Sequence, residues 1–226
     1  MLTKQDKFLQ YDIFEYDELN STMSKIKEFG ENTIVIAQKQ TAGRGKENRK
    51  WCSEDNGNLY FSMSLKTDKE YDYSQLSFVV SIAMREVIPN SISKWPNDII
   101  MDEKKCCGIL LEFDTNLIIG CGLNIKTYPD NVNFEATSLE NENIFMDKYQ
   151  ILKSFLQNFN YYYGEWQRQG FSFIREIFLK KCYKFKQIIK INNDEGIFYD
   201  IDKDGTLILK THNDTKKIRS GDIWKN

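Results

Sequence analysis

The chain has 226 residues, 41% hydrophobic and 14% aromatic, which is enough to bury a core and excludes a disordered polymer. Its formal net charge of −2 argues against a general nucleic-acid binder, whose basic footprint shows in the charge of the whole domain. Five cysteines (Cys52, Cys106, Cys107, Cys121, Cys182) without metal-ligand spacing read as buried free thiols in a reducing compartment, and a lone His212 in a polar turn argues against a Ser-His-Asp triad or a histidine metal site. No signal peptide, transmembrane run or lipidation motif is present.

In chain order, "NSTMSKIKEFG" offers a cap at Asn20 or Ser21, a helical run and a stop at Gly30. "TIVIAQKQ" follows as a short apolar strand. The loop "TAGRGKENRKW" comes next, and "NLYFSMSL" is a strand introduced by an Asn56-Gly57 turn. "YSQLSFVVSIAMREVI" has helical spacing and is ended by Pro89. Three short strands, "SISKW", "KKCCGILLEF" and "LIIGCGLNI", succeed it. From Asp147 the pattern becomes two or three helices with core aromatics. Beyond Cys182 short strands alternate with turns at "NNDEG" and "DKDG", as in a small β-barrel of about 45 residues. The change of pattern near Lys184 divides the chain into residues 1–183 and 184–226.

Four stretches carry chemistry. In the basic loop Gly43 and Gly45 allow close backbone approaches, so that Arg44, Lys46 and Arg49 can serve as donors to a carboxylate or phosphate. The loop is neither a Walker loop nor a dinucleotide fingerprint. "KWPNDII" places Asn97 and Asp98 at a strand end, where they either cap a turn or face a ligand. Lys104 and Lys105 precede a buried strand, and Lys105 at its mouth can be held by packing and aimed. In "GCGLNI" two glycines make room and Asn124 offers an amide.

Taken in order, "NSTM", "QKQTAGRGKENRKW", "KWPNDII", "KKCCGILLEF" and "GCGLNI" resemble the biotin protein ligase family over about Ser21 to Asn124. The helical region and the terminal β-module are similar in layout only. The resemblance implies an α+β fold: a mixed β-sheet backed by helices, of the class II synthetase-like kind, followed by a small SH3-like β-barrel. It implies an ATP-dependent, AMP-forming ligase that makes biotinyl-5′-adenylate and transfers biotin to a lysine of a biotin carboxyl carrier protein. Biotin, ATP and Mg²⁺ are the implied ligands, with the metal travelling on the nucleotide and no protein metal site. The implied setting is cytoplasmic, without membrane or DNA, and homodimers through sheet edges occur in the family.

Carried over by position, the family pattern puts Ser21, Thr22, Met23 and Gln40 at the biotin ureido ring, and Arg44, Gly45 and Lys46 over biotin and its carboxylate. Lys105 matches the catalytic lysine bridging carboxylate and α-phosphate, with Arg44 assisting. Lys46, Arg49, Trp51, Asn97, Asp98 and Asn124, together with Lys105, fall on the ATP side. Three positions depart from the pattern: Lys46 for a common arginine, Asn48 for a common glycine, and Met23 for a frequent asparagine. The first predicts looser retention of the adenylate. "NSTM" begins at Asn20, which leaves too little preceding chain for the DNA-binding domain of some members. A lipoate or octanoate ligase or transferase on the same fold is the nearest alternative. A nucleic-acid or phospho-ligand binding module is a different class, and it leaves Lys94, Asn97, Asp98 and Lys105 unexplained.

Overall fold

A computed structural model describes residues 1–53, 57–66 and 72–223, the side chain of Asn48 excepted. The Asn56 half of the expected turn lies outside the described residues; Gly57 has the left-handed φ of 82° that such a turn requires. The elements in chain order are β1 (Leu2–Phe8), β2 (Tyr11–Leu19), α1 (Thr22–Lys25, continued by a 3-10 turn over Ile26–Glu28), β3 (Thr33–Gln40), β4 (Leu59–Leu65), α2 (Leu76–Arg85), β5 (Ile92–Lys94), β6 (Asp98–Met101), β7 (Lys104–Phe113), β8 (Leu117–Leu123), α3 (Lys148–Gln169), α4 (Phe171–Lys180), β9 (Ile188–Ile191), β10 (Asp194–Ile201), β11 (Leu207–Lys210) and β12 (Thr215–Ile218). They fall into two compact units, Met1–Tyr71 with Glu103–Lys153, and Asp72–Asp102 with Ser154–Asn226.

The first unit is a mixed sheet in the order β1-β2-β3-β4-β8-β7. Neighbours are antiparallel except β2 and β3, which are parallel and joined by α1. A parallel pair needs a crossover, so the residues after Leu19 must leave the sheet and return. They do so apolar side inward: Met23 and Ile26 pack on Val35 and Ile118, flanked by Tyr16, Leu19, Phe29 and Leu110. On β2 the alternate residues Tyr11, Ile13 and Glu15 are buried. Glu15 meets Lys148 and Tyr149 of the first turn of α3.

In the second unit α2 is buried along nearly its whole length, which explains its continuous apolar sequence. Phe78 lies edge-on between Phe171 and Phe178, with centroids 5.2 and 4.8 Å away. β5 and β6 form an antiparallel hairpin in which Lys94 pairs with Asp98, so "WPN" is the turn inside it. The C-terminal sheet β12-β11-β10-β9 is antiparallel throughout, the small β-module that the sequence anticipates. Its turn at Gly205 accepts a 2.9 Å hydrogen bond from the Trp95 indole.

The cysteines are all free; Cys106, Cys107 and Cys121 are buried as expected, whereas Cys52 is exposed and Cys182 half-buried. His212 is exposed between β11 and β12. Among the described residues no helix is long and apolar enough to cross a membrane.

Candidate active site

The parallel pairing of β2 with β3 brings Leu19 opposite Gln40 at the carboxyl ends of both strands. Crevices beyond such strand ends are where open sheets bind ligands. The chain leaving β2 deposits Ser21 and Thr22 there. Gln40 Oε1 accepts from the Thr22 N–H at 2.8 Å and its hydroxyl at 3.1 Å. Gln40 Nε2 donates to Ser53 Oγ at 2.8 Å, and Ser62 Oγ donates to Thr22 Oγ1 at 2.8 Å. All these groups are buried, and each is satisfied by the next. Ser21 is the exception. It occupies the N-cap of α1 without making a side-chain cap, and its buried hydroxyl has no partner among the described residues.

The basic loop starts from the same corner, with Thr41 N–H donating to Leu19 O at 3.0 Å and Ala42 N–H to Asn20 O at 2.8 Å. It turns back on itself through Gly45 N–H to Arg49 O (2.7 Å) and Trp51 N–H to Gly43 O (2.9 Å). A Cβ on Gly43 would lie 2.5 Å from Trp51 O, so a side chain there forbids this closure. Arg44 Nη1 reaches Glu112 Oε1 of β7 at 2.8 Å, and Arg49 pairs with Glu47 inside the loop at 2.9 Å. Lys46 is half-buried at the start of a 3-10 turn over Lys46–Asn48.

The loop delivers Trp51 onto the sheet. Gly108 of β7 and Gly122 of β8 are cross-strand partners, and a Cβ on either would come within 2.6 or 2.4 Å of the Trp51 ring. Met23 covers Gly120 in the same way, its Sδ 2.5 Å from where a Cβ would stand. Glycine at these positions lets rings and a thioether lie directly on backbone, giving a flat apolar floor beside the polar corner. Lys105, at the entry of β7, holds its Nζ 5.4 Å from the Trp51 ring centroid and 5.2 Å from that of Phe134. Its backbone is fixed on both sides, N–H to Glu135 O at 2.8 Å and C=O from Thr137 N–H at 2.9 Å.

Within the first unit, Ser21, Thr22, Met23, Gln40, Trp51 and Lys105 thus line one continuous surface with the arginine loop attached. Asn124 is buried after β8 and donates from Nδ2 to Thr137 O at 3.0 Å, tying the strand end to the segment that brackets Lys105. Asn97 and Asp98 belong to the second unit. There Lys94 is fully buried, with Nζ 3.4 Å from Asp98 Oδ2 and 3.9 Å from Asp222 Oδ1. A lysine so enclosed keeps its charge only beside carboxylates. Ser53, Ser62, Glu112 and Phe134 join the site without having stood out in the sequence. Ser62 carried a usable signal, a hydroxyl inside the alternating apolar strand "LYFSMSL". Among the described residues no group of three or more His, Cys, Asp or Glu is placed to hold a metal ion.

Residues 17–124 match the Biotin/lipoate A/B protein ligase family and residues 190–225 the biotin protein ligase C terminal domain. The chain is 31% identical to the bifunctional ligase/repressor BirA of Bacillus subtilis, the match covering 92% of this chain and 72% of that protein. It is 24% identical to the biotin–[acetyl-CoA-carboxylase] ligase of Mycobacterium tuberculosis, over 85% and 79% of the two chains. The biotin protein ligase of Aquifex aeolicus in complex with biotin and ATP superposes with a TM-score of 0.83 at 26% identity, over 93% of this chain and 97% of that one.

Proposed function

The chain belongs to the biotin/lipoate A/B protein ligase family, and we propose that it is a biotin protein ligase: it joins biotin to ATP as biotinyl-5′-adenylate and passes the biotinyl group to a lysine of a biotin carboxyl carrier protein. The observation that carries this reading is the convergence on one sheet face of a buried polar corner, an apolar glycine floor and the amine of Lys105. The match over 190–225 to a biotin protein ligase C terminal domain favours biotin over lipoate.

In the first step a carboxylate oxygen of biotin attacks the α-phosphorus, the bond to the bridging oxygen breaks and pyrophosphate leaves. Two anions must meet. Unit charges 4 Å apart repel by about 4 kcal/mol at an effective dielectric near 20, roughly a thousandfold in rate. Lys105 and Arg44 are assigned to offset that repulsion and to stabilise the charge growing on phosphate. Ser21, Thr22, Met23 and Gln40 are assigned to the ureido ring, and the unused Ser21 hydroxyl suits a ligand that brings its own donors and acceptor. Gly45 and Lys46 close over biotin. Arg49, Trp51, Asn97, Asp98 and Asn124, with Lys46, are assigned to MgATP, the metal arriving with its nucleotide. In the second step the neutral amine of the carrier lysine attacks the acyl carbon, the acyl–phosphate bond breaks so that AMP departs, and the amine nitrogen gives up one proton to solvent as the amide forms. Residues 1–183 would hold the catalytic site and 184–226 the appended module. Five unbridged cysteines support a reducing setting, the cytoplasm.

The test is incorporation of labelled biotin into a carrier domain, alongside pyrophosphate exchange that depends on biotin and ignores lipoate. Lys105→Ala is expected to lower both by about 10²–10³. Equal turnover by wild type and variant removes Lys105 from catalysis, and exchange driven by lipoate removes the substrate assignment.

A further inference from the structure

A lysine that must meet two anions at one point is poorly suited to the task by its own chemistry: the ammonium rides a flexible four-carbon stem with three rotatable donors. Aromatic faces attract a cation without neutralising it. Lys105 Nζ lies over two of them, 5.4 Å from the Trp51 centroid and 5.2 Å from that of Phe134. The two rings come from separate loops.

Trp51 owes its place to Gly108 and Gly122 beneath it. Phe134 owes its place to the backbone around it. The segment after β8 is fixed at its start by Asn58, whose Oδ1 accepts from the N–H groups of Ile125 and Lys126 at 2.8 Å and of Thr127 at 3.3 Å. It is fixed at its end by the parallel bridge of Ala136 to Lys105 itself, through Glu135 O and Thr137 N–H. Phe134 therefore stands one residue ahead of the rungs that grip the Lys105 backbone. A ring could simply cover a lysine stem. Here both centroids lie within about 6 Å of the charged nitrogen, the range in which a cation is held over a ring.

We propose that Phe134 is a positioning residue for adenylate formation, which with Trp51 clamps the Lys105 ammonium against two ring faces and aims it at the joining carboxylate and phosphate. The proposal rests on the reading of Lys105 given above. Trp51 travels with the basic loop, whereas Phe134 is tied to the strand that bears the lysine, so Phe134 keeps the amine aimed whatever the loop does.

The clamp can be tested without reference to turnover. After reductive ¹³C-methylation of the full-length protein, the Lys105 resonance, assigned by its loss in Lys105→Arg, is expected upfield of the other lysines because of ring currents. Phe134→Leu should move it downfield and Phe134→Tyr should leave it in place. A Lys105 resonance that Phe134→Leu does not move overturns the clamp, whether or not the protein ligates biotin. In unmethylated protein, Phe134→Leu should lower kcat for biotin-dependent pyrophosphate exchange about fivefold, equivalent to about 1 kcal/mol, with KM for biotin little changed and Phe134→Tyr recovering most of the loss. The Leu variant should cost nothing further on a Lys105→Ala background. A full additional loss there, or equal losses in Leu and Tyr that follow a lowered Tm, assigns Phe134 to folding and overturns the positioning role. Absence of exchange in wild type would instead sink the ligase reading, with the resonance still judging the clamp.

Discussion

Ser21 heads a helix that it does not cap. Serine is favoured at that position because its oxygen accepts from an early backbone N–H, and losing such a cap costs about 1 kcal/mol. Here the hydroxyl is buried, makes no cap and has no partner among the described residues, an arrangement that costs about 1–3 kcal/mol where nothing compensates. Folding alone gives no reason for it; the proposed contact with the biotin ureido ring would supply one. Ser21→Ala separates the two, because it removes no internal hydrogen bond and relieves a buried polar group. Its Tm should equal or slightly exceed that of wild type, while KM for biotin rises about tenfold, the equivalent of one hydrogen bond of roughly 1.4 kcal/mol. Thermal unfolding and exchange kinetics on the same preparation decide it. A drop in Tm with unchanged KM would make Ser21 an ordinary structural serine.

Between elements, the junction of β2 with the first turn of α3 is held by polar groups. Glu15 is 3% exposed and accepts from Lys148 Nζ at 3.0 Å, from Tyr149 Oη at 2.8 Å and from Gln38. Burial, and then the Glu15 carboxylate it bonds, push the Tyr149 phenol up to about 12 from an ordinary value near 10. The unfolded phenol ionises near pH 10 while the folded one keeps its proton, so between pH 10 and about 12 the unfolded state binds fewer protons and stability falls as pH rises. This contribution is complete below pH 10 and gone above about pH 12. Urea midpoints across that window should fall less steeply for Tyr149→Phe than for wild type; identical slopes would remove the linkage. The same Glu15 explains why β2 was not legible in the sequence. A carboxylate in register with Tyr11 and Ile13 breaks the apolar alternation that announces a strand. β1 was illegible for another reason: Leu2 to Lys7 are all exposed, so the edge strand shows no apolar face. β6 hid inside "KWPNDII" because half of the motif is its turn. Among the later elements α4, β9 and β11 were legible because each buries a regular stripe, and β10 and β12 were marked off by the turns that flank them. The contiguous strings could be picked out from the sequence itself. Ser53, Glu112 and Phe134 were not, and Ser62 showed only as a hydroxyl in an apolar strand, since long-range pairing is what brings the four to Gln40, Arg44, Lys105 and Thr22.

At the scale of the whole molecule, the chain builds its two compact units from interleaved segments, so that residues 154–226 share a unit with 72–102. Inside that unit the turn between β10 and β11 meets α2 and its approach: Ser74 Oγ donates to Asp204 O at 3.3 Å, Gln75 Nε2 to Lys203 O at 2.7 Å and Trp95 Nε1 to Gly205 O at 2.9 Å. Gly205 sits at this junction with φ of 81°, and a Cβ on it would come 2.8 Å from Cε2 of Phe78. Gly205→Ala therefore incurs two separate penalties, left-handed backbone for an L-residue and displacement of a buried ring packed between Phe171 and Phe178. Together they amount to about 2–3 kcal/mol, or a fall in Tm of roughly 5–10 °C in a chain of this size. Gly164 supplies the opposite case. It lies within α3, is exposed, has nothing within 4 Å of a Cβ and shows no left-handed φ. Gly164→Ala should stabilise by about 0.5–1 kcal/mol through the lost freedom of the unfolded chain. Scanning calorimetry of the two variants should move Tm in opposite directions from wild type. A shift of the same sign in both, or a silent Gly205→Ala, would mean that the turn does not bear on α2 in solution.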